Sequence, residues 1–171
     1  MCTFSLSTCL PVATPLPSSA QRVQDELARL GVTAAVLRLD RSTRSAAEAA
    51  AAVGCDIGQI AKSLVFRGRR NGRPILVITS GANRVDETSL ANLVGESVEQ
   101  ADADFVRQAT GFAIGGVPPL GHPSPMTTFF DEDLLRYSKI WAAAGTPQAL
   151  FEIDPVELLH LCHATAVRVK G

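Results

Sequence analysis

Short runs with helical spacing of apolar residues alternate along this chain with short strand-like runs. From Ser18 or Ser19 onward, Val23, Leu27 and Leu30 recur at three- and four-residue intervals and Gly31 follows as a stop, which predicts a first helix. Residues 32-VTAAVLRLD-40 read as a strand. Ser45 then stands as a cap before the Ala-rich 46-AAEAAAAV-53, a helix closed by Gly54. The clearest supersecondary signal is 60-IAKSLVFRGRRNGRPILVITS-80, in which two strand-like runs flank Asn71-Gly72, a pair that favours a hairpin turn.

Further on, Asp86 precedes a helix carrying Leu90 and Leu93 and ending at Gly95, followed by a short strand at 97-SVEQ-100 and a helix at 102-DADFVRQAT-110. Strands are expected at 112-FAIGG-116, 126-MTTFF-130, 139-KIWAAA-144, 148-QALFEI-153 and 165-TAVRVK-170. Asp154-Pro155 is a cap and first-turn pair for a helix over 155–162. Strands outnumber helices and are interrupted irregularly, so the expected class is α+β around a mixed, curved, barrel-like sheet with peripheral helices. Residues 1–17 read as a flexible N-terminal extension and 18–171 as a single domain.

Composition narrows the function classes. With 171 residues, 46% apolar and 19% charged, the chain has the makings of a packed core. A net charge of −1 argues against a protein that grips long duplex nucleic acid, though not against a local contact with an RNA end. The first Lys or Arg is Arg22, so the positive start of a secretory signal is missing, and no apolar run approaches a membrane span. Cys2, Cys9, Cys55 and Cys162 are scattered without metal-ligand spacing, which favours a reduced, cytoplasmic protein with no metal and no cofactor.

Two features carry chemistry. If 60–66 is a strand, alternation places Lys62 in register with Ile60, Leu64 and Phe66, an awkward place for an idle ammonium. A lysine there is either snorkelling from a frayed strand start or positioned as a donor to a phosphate or carbonyl oxygen, or as a nucleophile. The second feature is 111-GFAIGGVPPLGHPSP-125, where glycines allow close backbone approach and prolines stiffen the flanking peptides. Such a loop is either a structural crossover or a backbone cradle that aims N–H groups at a ligand. His122 lies in this loop without a nucleophilic partner placed by sequence, and Ser63, Ser80 and Ser124 lack the GxSxG context of a hydrolase elbow. His160 and His163 read as a solvated helix face. Asp131 reads best as a cap for 132-EDLLRY-137.

In combination, 57-IGQIAKSLVF-66, 110-TGFAIGGVPPLG-121 and 126-MTTFFD-131 resemble the YbaK / prolyl-tRNA synthetase-associated domain family of aminoacyl-tRNA editing domains. The resemblance runs from about Arg22 to the C-terminus. It rests on an Ile-x-Lys-[Ser/Thr]-Leu strand and a Gly-x-x-x-Pro loop about fifty residues later. It implies a deacylase that hydrolyses the ester of mischarged tRNA, plausibly tRNA(Pro), by a metal-free, substrate-assisted route. The matching Lys62 is then the essential side chain. Gly115, Gly116, Val117, Pro118 and Pro119 hold the aminoacyl moiety and terminal adenosine, and Ser63, His122 and Asp131 join them as substrate-binding positions. The partners implied are a tRNA acceptor end carrying a wrong amino acid and prolyl-tRNA synthetase, with no membrane. The chain departs from cysteine-specific relatives, which carry Ser-Gly-Gly-Lys and a later Asp where this chain has 143-AAGT-146 and Leu150. Pro118 replaces a customary Ser, and 87-ETSLANL-93 lacks the lysines often found there, so a less polar pocket is expected, with tRNA contacts either weaker or supplied elsewhere. Two other readings are a non-catalytic module of the same fold that binds a tRNA end or a synthetase, and a hydrolase of free aminoacyl esters.

Overall fold

Helix signals in the sequence translate closely into structure. In this computed structural model, which describes residues 14–171, α1 (Ser18–Arg29) buries Ala20, Val23 and Leu27 completely, the stripe that its periodicity requires. Four further helices start at side-chain caps, each satisfying amide groups that the first turn leaves free. Ser45 accepts from Glu48 N–H at α2 (Ala46–Val53), and Asp86 accepts from Ser89 N–H at α3 (Glu87–Val94). Asp102 serves Phe105 N–H at α4 (Ala103–Thr110), and Asp154 serves Val156 and Glu157 at α5 (Pro155–Leu161).

Eight strands form one mixed sheet. They are β1 (Leu37–Arg38), β2 (Ile60–Gly68), β3 (Pro74–Ser80), β4 (Val98–Gln100), β5 (Thr127–Asp131), β6 (Ile140–Ala143), β7 (Ala149–Ile153) and β8 (Thr165–Val167). Their order is β1-β7-β6-β2-β3-β5-β8, with β4 also on β2. β2 and β3 form the antiparallel hairpin, β3 runs parallel to β5 and β5 to β8, and β2 runs parallel to β6. The central strand β3 is buried on both faces, which explains its unbroken apolar run 75-ILVI-78. Leu76 and Ile78 join Leu27, Phe130 and Phe151 in the main core beside α1, whereas Ile75 and Val77 join Phe66, Leu90 and Phe129 beside α3. Phe130 and Phe151 are fully buried, each worth roughly 1.5–3 kcal/mol by transfer from water.

Three expected elements change. Residues 112–116 form no strand: Gly111 is left-handed (φ +77°), Gly116 N–H closes a turn onto Ala113 O, and Ile114 is 56% exposed. The strand over 32–40 shrinks to Leu37–Arg38 because Gln24 of α1 takes the polar groups before it, accepting from Val36 N–H and donating to Ala34 O. The last strand stops at Val167, after which Val169 O accepts from Asp86 N–H. The hairpin turn is also longer than two residues: Asn71 keeps negative φ, and only Gly72 (φ +67°) is left-handed. Cys2, Cys9 and most of the N-terminal extension lie outside the described residues. Among those described, no helix is long and apolar enough to cross a membrane.

Candidate active site

The site grows from a fork in the sheet. One edge of β2 pairs with β3 along nearly its whole length, from Ala61↔Ser80 to Arg67↔Pro74. The opposite edge is shared: β6 pairs only at Ile60 and Ala61, and β4 only from Phe66 to Gly68. Ala101 N–H adds one bond to Val65 O. Gly81 N–H bonds Ile60 O on the β3 side, so alternation turns the peptide groups of Ser63 toward the fork, where no strand partner stands among the described residues. The Ser63 hydroxyl is also buried without a hydrogen-bond partner among the described residues. Buried polar groups are nearly always paired, so the unpaired groups at the fork mark it as a candidate site.

A cavity of about 490 Å³ opens at the fork. Its walls come from both sides: Ala49, Ile60 and Leu150 on one, Val65, Val106 and Val117 on the other. Lys62, Ser63, Gln100 and Arg44 add polar groups. Lys62 is half-buried, and its Nζ donates to the Asn83 carbonyl at 3.0 Å. Burial pushes the Lys62 ammonium below its ordinary pKa, the nearby Asp131 carboxylate opposes that, and Arg84 adds to it.

Asp131 works behind the cavity. It is 1% exposed; its Oδ2 accepts from Ser80 N–H (2.9 Å), Asn83 Nδ2 (2.8 Å) and Thr79 Oγ1 (3.2 Å), and its Oδ1 accepts from Asp133 N–H (3.0 Å). That last bond caps the 3-10 turn Glu132–Arg136. Asn83 donates a further bond at 2.8 Å to Asp133 Oδ2, which also receives Lys170 Nζ at 2.5 Å. The loop carrying the Lys62 acceptor is therefore pinned by two carboxylates.

The glycine-proline loop packs against a second loop. A Cβ on Gly116 would stand 2.6 Å from Thr146 Cα and 2.7 Å from Thr146 N, a close approach that only glycine permits. Gly115 has φ +90° and lies over Pro147. Gly115 and Val117 line the cavity, and neither of their N–H groups has a partner among the described residues; Gly116 N–H is taken by Ala113 O. Pro118 and Pro119 are buried and do not line it. His122 Nε2 is 2.8 Å from Pro118 O and does not reach the cavity either; burial lowers its pKa, which keeps the ring neutral and donating to that carbonyl.

Of the sequence-selected residues, the fold thus brings Lys62, Ser63, Gly115 and Val117 to one cavity. Gly116, Pro118, Pro119, His122 and Asp131 support its walls. Sequence reasoning missed Ser42–Ala46 and Pro147. Thr43 N–H and Oγ1 both donate to Pro147 O at 2.9 Å, closing this end of the cavity. Two arginines around two hydroxyl residues in 41-RSTR-44, directly before the capped helix, were the available signal. Among the described residues no group of three or more His, Cys, Asp or Glu side chains is arranged to hold a metal ion.

This fold and site define an editing domain: residues 40–161 match the aminoacyl-tRNA editing domain family, and the chain belongs to it. An uncharacterised Bacillus subtilis protein, YwhH, is 29% identical over 123 residues, covering 72% of this chain and 78% of its own. A protein of Enterococcus faecalis with the provisional name Cys-tRNA(Pro)/Cys-tRNA(Cys) deacylase EbsC is 30% identical over 118 residues, 68% of this chain and 71% of its own. A crystal structure provisionally described as a trans-editing enzyme for prolyl tRNA synthetase is 49% identical and superposes with a TM-score of 0.87, over 92% of this chain and 99% of its own.

Proposed function

We propose that this chain is a trans-acting deacylase that hydrolyses the ester of mischarged tRNA(Pro), with Lys62 as its essential side chain. The observation that carries this reading is the pairing of a half-buried Lys62 with the unpartnered Ser63 hydroxyl and Val117 N–H on one cavity, in a family of aminoacyl-tRNA editing domains. The aminoacyl ester enters at the fork. Lys62 Nζ exchanges its Asn83 carbonyl for the ester region, placing positive charge where negative charge develops. Gly115 and Val117 N–H groups, fixed in a glycine-constrained loop, offer preorganised donors to the carbonyl oxygen. The ribose hydroxyl next to the ester helps to activate water, and no metal is needed. Ser63 pairs with the α-amino group common to every aminoacyl ester.

The amino-acid side chain then faces Val, Leu, Ile and Ala walls. Ala143 and Leu150 stand where cysteine-specific relatives carry polar groups, so a serine or cysteine side chain would leave its polar atom unpaired, and alanine would not. The test is a deacylation panel of Ala-, Ser-, Cys- and Thr-tRNA(Pro), with Pro-tRNA(Pro) as control and Lys62→Ala alongside. Ala-tRNA(Pro) should be cleaved fastest and Pro-tRNA(Pro) spared, and Lys62→Ala should lose at least a hundredfold. Full activity in Lys62→Ala removes the lysine from the mechanism. Tight binding of tRNA with no cleavage of any member marks a binding module instead.

A further inference from the structure

The β2–β3 hairpin tip, 67-RGRRNGR-73, holds four arginines and no acidic residue in a chain of net charge −1, and all four are exposed. We propose that this tip is the docking surface for the phosphates at the start of a tRNA acceptor stem. The inference rests on the reading of tRNA as substrate and adds where its duplex is held.

Three observations carry it. First, the tip is rigid. Asn71 Oδ1 accepts from Arg73 N–H at 2.8 Å, Glu96 accepts from Arg70 N–H at 2.7 Å, and Gly72 N–H bonds Gly68 O at 2.9 Å. Glu96 therefore shapes the backbone, and only Arg69 is paired with a carboxylate, Glu99 at 3.3 Å, an exposed contact of little strength. Arg67, Arg70 and Arg73 have no carboxylate partner among the described residues.

Second, the charge begins at the cavity rim. Ser63, Val65 and Arg67 alternate onto one face of β2, and the first two line the cavity. The Arg67 guanidinium lies over the Phe105 ring at 5.2 Å, and the neighbouring Val106 is cavity wall. Third, the spacing fits. From Lys62 to the end of β2 is about 17–20 Å at ~3.3 Å per residue. At ~3.4 Å per stacked nucleotide this is five or six nucleotides from the esterified end. The unpaired 3′ end of a tRNA is about four nucleotides long, so the tip meets the strand where the duplex starts.

The test uses an uncharged acceptor-stem RNA hairpin with an unpaired 3′-ACCA end, bound to the full chain by fluorescence anisotropy between 50 and 200 mM salt. Arg70→Ala/Arg73→Ala should weaken binding and lower the slope of log K against log salt by about 1.4–1.8, two phosphate contacts' worth. Arg29→Ala, on α1, should leave the slope unchanged. An unchanged slope in the double variant overturns the proposal, as does an equal fall per residue in Arg29→Ala. The probe carries no ester, so the two readings fail separately. A salt-dependent hairpin contact in a protein that cleaves nothing leaves this surface standing without the deacylase. A fully active deacylase with an unchanged slope does the reverse.

Discussion

Gly116→Ala is the most discriminating small change available, because it adds one methyl group where two loops meet backbone to backbone. The new Cβ would lie 2.6 Å from Thr146 Cα, 2.7 Å from Thr146 N and 2.8 Å from Gly145 C, whereas ordinary contact begins at 3.4 Å. One segment must therefore retreat by about 0.8 Å, and no flexible side chain is there to absorb the movement. Retreat on the 145–147 side is resisted by Gly145, whose own missing Cβ leaves room for Ser19 O 2.5 Å from where it would stand. Overpacking of this kind costs about 1–3 kcal/mol. Gly115 and Val117 flank the change and line the cavity. A displacement near 1 Å at donors aimed at a reacting carbonyl costs on the order of a hundredfold in rate. We expect a urea midpoint lowered by that energy divided by the m-value, and kcat/KM for deacylation reduced ten- to a hundredfold. Gly115→Ala is the control: its nearest contact is Pro147 Cγ at 3.6 Å, so its penalty comes from φ +90° and not from collision. Wild-type stability together with wild-type deacylation in Gly116→Ala would refute the close-approach argument.

Two pH experiments and one stability measurement follow. The partly buried His122 has its pKa lowered first by desolvation, so below its ordinary 6.5 the unfolded chain takes up a proton that the folded chain resists. Stability should fall as pH drops from 7 toward the depressed folded value and level off beneath it; His122→Gln should flatten that part of a melting-temperature profile, and an unflattened profile assigns the slope to another group. Lys62 has its pKa lowered by burial and held up by Asp131, so deacylation that needs the ammonium should decline with rising pH below the ordinary 10.5. Asp131→Asn removes the supporting charge and should move that decline to lower pH; a shift to higher pH contradicts the electrostatic assignment. The same substitution places an amide where four donors converge on a buried carboxylate, so it should cost about 3 kcal/mol in urea unfolding.

Local rules made much of this architecture readable. Ser45, Asp86, Asp102 and Asp154 all cap the helices they precede, and Gly54, Gly95 and Gly111 close helices in left-handed conformations. Alternation in β2 placed Lys62 with Ile60 and Phe66, both of which are buried. What the sequence could not convey was long-range. Residues 112–116 look like a strand until Gly116 is seen against Thr146, thirty residues away. The family resemblance implied His122 and Asp131 as substrate-binding positions; in the structure both bond to the protein itself, Asp131 as the cap that its place before 132–137 suggested. The family resemblance singled out Ser63, but the unpaired state of its peptide groups follows only from the unequal reach of β4 and β6 along β2.

That inequality connects the fold to the chemistry. A strand flanked fully on both edges has no backbone groups to offer, and one with a bare edge exposes them to water and to other chains. β2 avoids both outcomes by sharing one edge between a parallel neighbour at its start and an antiparallel neighbour at its end. The gap falls at Lys62–Leu64, between two apolar walls, so its polar groups face a cavity and not bulk solvent. β4 arrives from α3 and β6 from the 3-10 turn after β5, and the chain between them runs through α4, the glycine-proline loop and β5. The first part of that interval, α4 and the loop, thus also supplies, through Val106, Gly115 and Val117, one wall of the cavity in space.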